Sequence, residues 1–326
     1  MNREQYAAML KDISETHKAG GDTAACIAKY NERYKFMYIY NDNVFKILFG
    51  SPENEKITID FLNAVLGFIG SDCINNLAYI NPALPDAFGK SITSDIVATD
   101  QRLDRIVLEV QHIEDDSYNA RLVLYTAKHT IASRIKGEDY ALQNLNLISL
   151  QMFDGFPNSP NYRHSIRFKN QENEEFYDKQ TITLVEIPKF LKGNFTTDNS
   201  RIAEWLRVID GLNNETPVAV PEGSPFALLQ EKAQLSIFTE EFLVSEAMKM
   251  SDHKYELYVE KKHARKEGLE EGRAEGRAKG LTEGADAKAR EMAAAMLADG
   301  DSVEKVVRIS KLPESDVLAI KASLKK

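Results

Sequence analysis

The sequence predicts an α/β protein in which a mixed sheet is flanked by helices and followed by an α-helical C-terminal extension. Three observations predict this fold class. Residues 92–111 have the pattern of two strands joined by a polar turn, residues 142–153 are mostly apolar and suit a central strand, and amphipathic helical patterns such as residues 200–212 accompany them. Strands interleaved with helices are typical of a sheet covered on its faces by helices.

The other elements of the predicted core follow in chain order. A short helix at Asp42–Gly50 precedes a longer helix that opens with Ser51-Pro52 and ends at Gly67. Another helix is predicted from Asp115 to about Ile135. Further strands are predicted at Ile74–Ile80, His164–Phe168 and Thr181–Ile187.

The predicted hairpin carries two acidic residues among apolar neighbours. Ile92–Thr99 forms its first strand, which contains Asp95, and Leu103–Gln111 forms its second, which contains Glu109. Since strand side chains alternate between two faces, folding of the hairpin can place both carboxylates on one face. Carboxylates that lie so close repel each other, and a bound divalent cation is one reason to keep them. The alternative is that both are solubility residues of an edge strand.

The acidic pair belongs to a longer pattern. Asp95 and the triplet Glu109-Val110-Gln111 resemble the Asp…Glu-x-Lys signature of PD-(D/E)XK nucleases. They resemble more closely the recombination-promoting nuclease and transposase family, in which the last position is usually Gln. The resemblance covers roughly residues 41–212. Its other parts are, in order, Asp42–Gly50, Arg121-x-x-x-Tyr125, Gly137-x-x-Tyr140 and Val185–Phe190.

This resemblance implies a restriction-endonuclease-like fold and metal-dependent cleavage of DNA phosphodiester bonds, associated with recombination or transposition. It implies that Asp95 and Glu109 hold Mg²⁺ or Mn²⁺, and the backbone carbonyl of Val110 is a further candidate ligand because hard cations also take carbonyl oxygens. Gln111 is expected to orient the attacking water or the phosphate. It departs from the lysine of the superfamily and supplies no positive charge.

The helix at residues 42–50 contributes two candidates for supporting roles. Asp42 and Lys46 can lie near the carboxylates. The alternative role of Asp42 is to cap the N-terminus of this helix.

Three more candidates lie in the helix predicted after the hairpin. Arg121 and Tyr125 are four residues apart and share one face of that helix. Arg121 is expected to hold a phosphate, with Tyr125 packing or hydrogen-bonding beside it. The alternative is an Arg–carboxylate pair and a core tyrosine. Lys128 lies one turn further along, and it is a candidate for the positive charge that Gln111 does not supply.

Composition sets limits on the partners and the compartment. The chain has 326 residues, 43% of them hydrophobic, and a net charge of −9 that counts against strong general affinity for DNA. Its two cysteines, Cys26 and Cys73, have no metal-ligand spacing and suit a reducing cytoplasm. No apolar run approaches the roughly 20 residues that span a bilayer, so no membrane partner is expected.

The pattern divides the chain into five segments. They are a helical N-terminal preface (1–40), a nuclease-like domain (41–215), a helical linker region (216–253), a Gly-rich charged helix (254–290) and a small helical module (291–326). Glycine recurs every four residues from Gly268 to Gly284, which would form a ridge of small residues that another helix can approach closely. This spacing predicts a homo-oligomer assembled through the tail, with a solvated charged linker as the alternative.

The sequence is therefore consistent with two classes of function. One is a metal-dependent DNA endonuclease, favoured by the trio of Asp95, Glu109 and Gln111. The other is a non-catalytic interaction protein that keeps a nuclease-like domain for assembly. The net charge of −9 and the glutamine at position 111 favour the second class.

Overall fold

A computed structural model describes most of the chain. The described residues are 1–81, 83–84, 92–112, 114, 117–135, 137, 140–193, 195, 197–250, 265, 273, 276–277, 279–280, 284 and 286–324. The helix start predicted at Asp115, and Gly268 and Gly272 of the glycine ridge, lie outside them. The chain forms two compact units, Met1–Lys249 and Met250–Lys326.

The first unit is built on a six-stranded mixed sheet with the order β1-β4-β5-β6-β8-β7, and β2 and β3 form a separate antiparallel pair. Strands β5, β6 and β8 run parallel to each other, whereas β1, β4 and β7 pair antiparallel with their neighbours. The strands are β1 (Leu77–Tyr79), β2 (Ala83–Leu84), β3 (Ile92–Thr93), β4 (Ile96–Asp100), β5 (Arg105–Gln111), β6 (Leu145–Gln151), β7 (Arg163–Lys169) and β8 (Glu175–Glu186).

Helices flank this sheet. Those of the first unit are α1 (Arg3–Lys18), α2 (Thr23–Arg33), α3 (Asp42–Gly50), α4 (Glu55–Leu66), α5 (Tyr118–Ala132), α6 (Ile187–Lys192), α7 (Arg201–Asn213), α8 (Pro225–Lys232) and α9 (Glu240–Met250). The predicted restriction-endonuclease-like fold, a mixed sheet flanked by helices, is confirmed. The helix α4 ends where the sequence predicted, because Gly67 adopts the left-handed conformation with φ of 73° that glycine tolerates best.

The core has apolar layers on both faces of the sheet. On one face, α5 packs against the parallel strands through a buried cluster that includes Val107, Leu122 and Leu147. On the other, the fully buried rings of Phe45, Phe49, Phe61 and Trp205 pack against one another between α3, α4 and α7. Burying each such side chain contributes about 1.5–3 kcal/mol, so both layers stabilise the sheet that lies between them. Among the described residues, no helix is long and apolar enough to cross a membrane.

The second unit contains a small helical core. Residues 286–298 are helical, followed by α10 (Val303–Ser310) and α11 (Glu314–Ser323). Ala293, Val306, Leu312 and Val317 form the buried centre of this unit. Gly276, Gly280 and Gly284 belong to the described part of the glycine ridge, and a Cβ atom placed on any of them would meet no atom within 4 Å. Within the described residues, nothing packs closely on that ridge.

Candidate active site

The hairpin of β4 and β5 brings the two predicted carboxylates together. Ile96 pairs with Leu108, and the same antiparallel register, extended by one residue, places Asp95 opposite Glu109. Asp95 lies just before β4, where its Oδ2 accepts a hydrogen bond of 2.8 Å from the backbone N–H of Val110. The alternation of β5 puts Glu109 on the same side of the sheet as Val107, which faces α5.

Glu109 is held in an environment that disfavours its charged form. Burial raises the pKa of its carboxyl to about 8, and the charge of Asp95 adds to the increase. Hydrogen bonds from the Ser94 hydroxyl and the Asp95 backbone N–H, and the charge of Lys46, act in the opposite direction. Its Oε1 is buried and accepts no hydrogen bond from the described residues. A buried oxygen beside a second carboxylate is a group that a bound cation would stabilise.

Asp95 is partly neutralised by a neighbouring lysine. Lys46 on α3 places its Nζ 3.0 Å from Asp95 Oδ1, and the Asp95 side chain is 14% exposed. Burial still raises the pKa of Asp95, although the Val110 N–H and Lys46 lower it. Burial is the largest influence on Lys46 and lowers its pKa, but the charge and hydrogen bond of Asp95, together with the charges of Asp42 and Glu109, outweigh it, so the pKa of Lys46 is raised. Lys46, expected near the site from the sequence, therefore contacts it directly.

Asp42 does not cap α3, and that alternative is wrong. The cap is Asn41, whose side chain accepts hydrogen bonds from the backbone N–H groups of Asn43 and Val44. Asp42 instead places Oδ1 3.2 Å from Nε2 of His112, the residue that follows Gln111. The sequence patterns do not single out His112, although its position directly after the triplet is a usable signal.

The helix α5 presents its inner face to the carboxylates. Tyr125 lies close enough to Glu109 that, after burial, the carboxylate charge is the main reason the pKa of its hydroxyl is raised. The Arg121 guanidinium lies 5.6 Å from the ring centre of Tyr118. Lys128, one turn beyond Tyr125, is partly buried. The phosphate-binding role of Arg121 and the charge-supplying role of Lys128 stay predictions.

A row of polar side chains continues from the carboxylates along the ends of the parallel strands. Gln111, Gln151 and Glu186 are the last residues of β5, β6 and β8, and they pair in register. Tyr118 joins this row to α5, because its hydroxyl lies 2.8 Å from Ser149 Oγ and accepts a 2.9 Å hydrogen bond from Gln151 Nε2. Ligands of open α/β sheets commonly bind beyond the carboxyl ends of the strands, which is where this row lies.

Glu186 closes the row and is completely buried. It forms an ion pair with Lys189, and His164 Nε2 lies 3.4 Å from its Oε2. The backbone N–H of Phe156 donates a 2.7 Å hydrogen bond to its Oε1, and Lys189 donates one of 2.7 Å to the Phe156 carbonyl. Glu186 and Lys189 thus hold the β6–β7 loop in place beside the candidate site through these hydrogen bonds to Phe156.

Ser94 and His129 are two further residues near the site that the sequence motifs do not indicate. Ser94 directly precedes Asp95, and His129 follows Tyr125 by four residues, as Tyr125 follows Arg121. This i, i+4 spacing was a signal that His129 shares the inner face of α5. Nothing local indicated that its ring would meet Ser94.

The donor set fits a hard divalent cation. No group of three or more His, Cys, Asp or Glu side chains in the described part of the chain is arranged to hold a metal. Two adjacent carboxylates with an unsatisfied oxygen are nevertheless suited to an ion such as Mg²⁺, which is often bound by one or two carboxylates while it keeps several waters.

Residues 39–271 match the family described as PD-(D/E)XK nuclease family transposase. This chain belongs to that family. Membership indicates a nuclease-type function in transposition, and the matched region contains the hairpin, α5 and the polar row. Neither the search of curated proteins nor the search of solved structures found a match.

The raised pKa of Glu109 predicts a pH dependence of stability for this PD-(D/E)XK chain without metal. The carboxyl has a pKa of 4.5 in its ordinary state and about 8 in the fold, so the folded state binds the proton more tightly. The protonated Glu109 carboxyl therefore contributes its full stabilisation below pH 4.5, and this contribution is lost as the pH rises through about 8. A tenfold change in a protonation equilibrium is worth about 1.4 kcal/mol, so the melting temperature should fall clearly across this window.

Glu109→Gln removes the titrating group, so the melting temperature of this variant should depend much less on pH. Above the pKa of about 8 that Glu109 has in the fold, the variant should melt at a higher temperature than the wild type. Thermal unfolding in EDTA at a series of pH values measures both. An identical slope in the two proteins would contradict the assignment of the raised pKa to Glu109.

Proposed function

We propose that this protein is a Mg²⁺- or Mn²⁺-dependent endodeoxyribonuclease that hydrolyses phosphodiester bonds of DNA during recombination or transposition in the cytoplasm. The observation that carries the proposal is the pair of Asp95, just before β4, and Glu109, on β5, in which Oε1 of Glu109 is buried without a hydrogen-bond partner among the described residues. Membership of the nuclease family supports the same reaction.

The metal site would consist of the Asp95 and Glu109 carboxylates and the backbone carbonyl of Val110. A divalent ion bound there would polarise the phosphate and lower the pKa of the attacking water. Asp95 keeps acceptor capacity for such an ion, because a carboxylate has about four lone-pair positions and two are taken by Lys46 and the Val110 N–H.

Other residues of the site would hold and orient the DNA. Gln111 stands two residues after Glu109 at the end of β5, where its amide can hydrogen-bond the water or the phosphate. Lys46 carries a positive charge next to the carboxylates, and Arg121 and Lys128 are further cations on α5. Local cations of this kind can bind a phosphate although the whole chain carries a charge of −9.

Supercoiled plasmid incubated with the purified protein tests the proposal. Parallel reactions contain Mg²⁺, Mn²⁺ or EDTA, and agarose gels separate supercoiled, nicked and linear DNA. Nicked or linear product with metal and none with EDTA is expected. Intact plasmid in every reaction, from a folded protein, would contradict the proposal and favour the non-catalytic class.

Substitutions of Gln111 test its proposed role in phosphodiester cleavage. Gln111→Lys should retain activity, because lysine adds positive charge that stabilises the developing charge on the phosphate. Gln111→Ala should lower the cleavage rate, since it removes the hydrogen-bonding amide. Initial rates of plasmid nicking at saturating metal compare the two variants. A Gln111→Ala protein that cuts as fast as the wild type would remove Gln111 from the catalytic machinery.

We also propose that the tail assembles the protein into a homo-oligomer. The exposed glycines of the described ridge support this, because each interior glycine costs a helix up to about 1 kcal/mol unless close packing offsets it. Truncation after His253 should shift the protein towards monomer and favour nicked over linear product, since each site cuts one strand. Light scattering after size exclusion measures the mass. An unchanged mass would leave only the linker alternative.

A further inference from the structure

We infer that Ser94 and His129 form a chain of hydrogen bonds that positions the Glu109 carboxylate, which makes both of them positioning residues for the proposed metal site. This inference rests on the proposed function. It assigns a role to a buried histidine and a buried hydroxyl that lie outside the resemblance to the nuclease signature.

The contacts connect α5 to the hairpin through one hydroxyl group. Ser94 is completely buried, and its Oγ lies 3.0 Å from Nε2 of the completely buried His129. The same hydroxyl is hydrogen-bonded to the Glu109 carboxylate. Ser94 therefore stands between a ring fixed in the core of α5 and the carboxylate of the candidate site.

The number of available protons fixes the direction of this chain once Glu109 is ionised, as it would be with a bound cation. A serine hydroxyl has one proton to donate. When Ser94 donates it to ionised Glu109, the contact with His129 is satisfied only if Nε2–H of the ring donates to Ser94 Oγ. Burial and the charge of Arg105 lower the pKa of His129 to about 4, so the ring is neutral near pH 7 and carries a single N–H. His129 thereby determines where the Ser94 proton points.

A purely structural role explains this arrangement less well. A buried imidazole costs more than an apolar ring of similar size unless its nitrogens are satisfied, and His129 Nδ1 has no hydrogen-bond partner among the described residues. The Ser94 contact is the stabilising feature that sets histidine apart from phenylalanine at this position. Groups that orient a metal-binding side chain in this way typically change metal affinity or activity about 10–100-fold when they are replaced.

A double-mutant cycle tests the inference. Ser94→Ala and His129→Phe should each raise the Mn²⁺ concentration for half-maximal cleavage about 10–100-fold, with little change in the KM for DNA. The double variant should be no worse than Ser94→Ala, because His129 acts through Ser94. His129→Gln should recover part of the loss, since its amide can still donate to Ser94.

The matched control is Ser133→Ala. Ser133, the residue directly after α5, is also buried, but its hydroxyl donates its proton to the His129 backbone carbonyl, at 2.7 Å, and not to a side chain. Its metal dependence should stay close to that of the wild type. Additive losses in the double variant, or an equal shift in Ser133→Ala, would overturn the inference. If His129→Phe does not fold, the comparison of Ser94→Ala with Ser133→Ala decides it.

The wild-type protein distinguishes a failure of the proposed nuclease function from a failure of the positioning role. If wild-type protein cuts no DNA, calorimetric titration with Mn²⁺ replaces the cleavage readout for the same variants. Weaker Mn²⁺ binding by Ser94→Ala than by Ser133→Ala supports the positioning role even then. Equal binding, or no binding by the wild type, overturns it.

Discussion

We expect Asp95→Asn and Glu109→Gln each to reduce the rate of DNA cleavage about a thousandfold or more. A thousandfold loss corresponds to about 4 kcal/mol of activation free energy, which is of the size attributed to a metal ion that stabilises charge in the transition state. Each substitution keeps the shape of the side chain and removes the charge that would bind the cation. Plasmid nicking over time, at equal protein concentration and saturating Mg²⁺, gives the comparison.

A matched control separates this effect from a loss of acidic charge in general. Glu172, in the turn between β7 and β8, is exposed, and Glu172→Gln should cut like the wild type. The melting temperature of metal-free Glu109→Gln should hold or rise, because the repulsion from Asp95 is relieved. Asp95→Asn also gives up the ion pair with Lys46, so its stability reports that pair separately. Nicking by both variants at the wild-type rate would contradict the site assignment.

We expect Glu186→Ala to lower the free energy of unfolding by about 3–5 kcal/mol. This is the typical cost of removing one partner of a buried ion pair. Glu186 is completely buried, and the Lys189 side chain that it neutralises is only 13% exposed. The substitution leaves Lys189 without its carboxylate and removes the acceptor of the Phe156 N–H. Urea unfolding followed by circular dichroism measures the free energy of unfolding.

The control for this prediction lies on the same strand. Glu175, at the other end of β8, pairs with Arg167 at 2.8 Å, but both side chains are well exposed. Glu175→Ala should therefore cost at most about 1 kcal/mol, as exposed pairs do. Equal destabilisation by the two variants would show that the burial of Glu186 is not what makes its ion pair important.

The sequence predicted the part of the site that depends on local pattern. Alternation along Leu103–Gln111 and a polar turn are enough to form a hairpin, and its register then brings Asp95 and Glu109 together. Helix boundaries were predictable where one residue type decides them, as at Gly67. The capping role considered for Asp42 belongs to Asn41, because these two residue types cap helices about equally well and only the backbone geometry selects between them.

The rest depends on contacts between distant segments. Strand β8 begins at Glu175, six residues before the predicted Thr181, because its first half is an exposed polar ribbon paired with β7 that buries no apolar face. His129 and Ser94 are 35 residues apart, and their contact is created by the packing of α5 on the hairpin. Likewise, nothing local links His164 to Glu186, which meet only when β7 pairs with β8.

Calorimetric titration with Mn²⁺ tests most directly whether the hairpin carboxylates form a metal site. It needs no DNA, so it is independent of substrate choice and of the rate of any chemical step. The wild type should bind Mn²⁺ with an affinity that rises towards pH 8, as Glu109 loses its proton, and the Asp95→Asn/Glu109→Gln double variant should not bind. Equal Mn²⁺ affinity in the two proteins, or no binding by the wild type, would contradict the account.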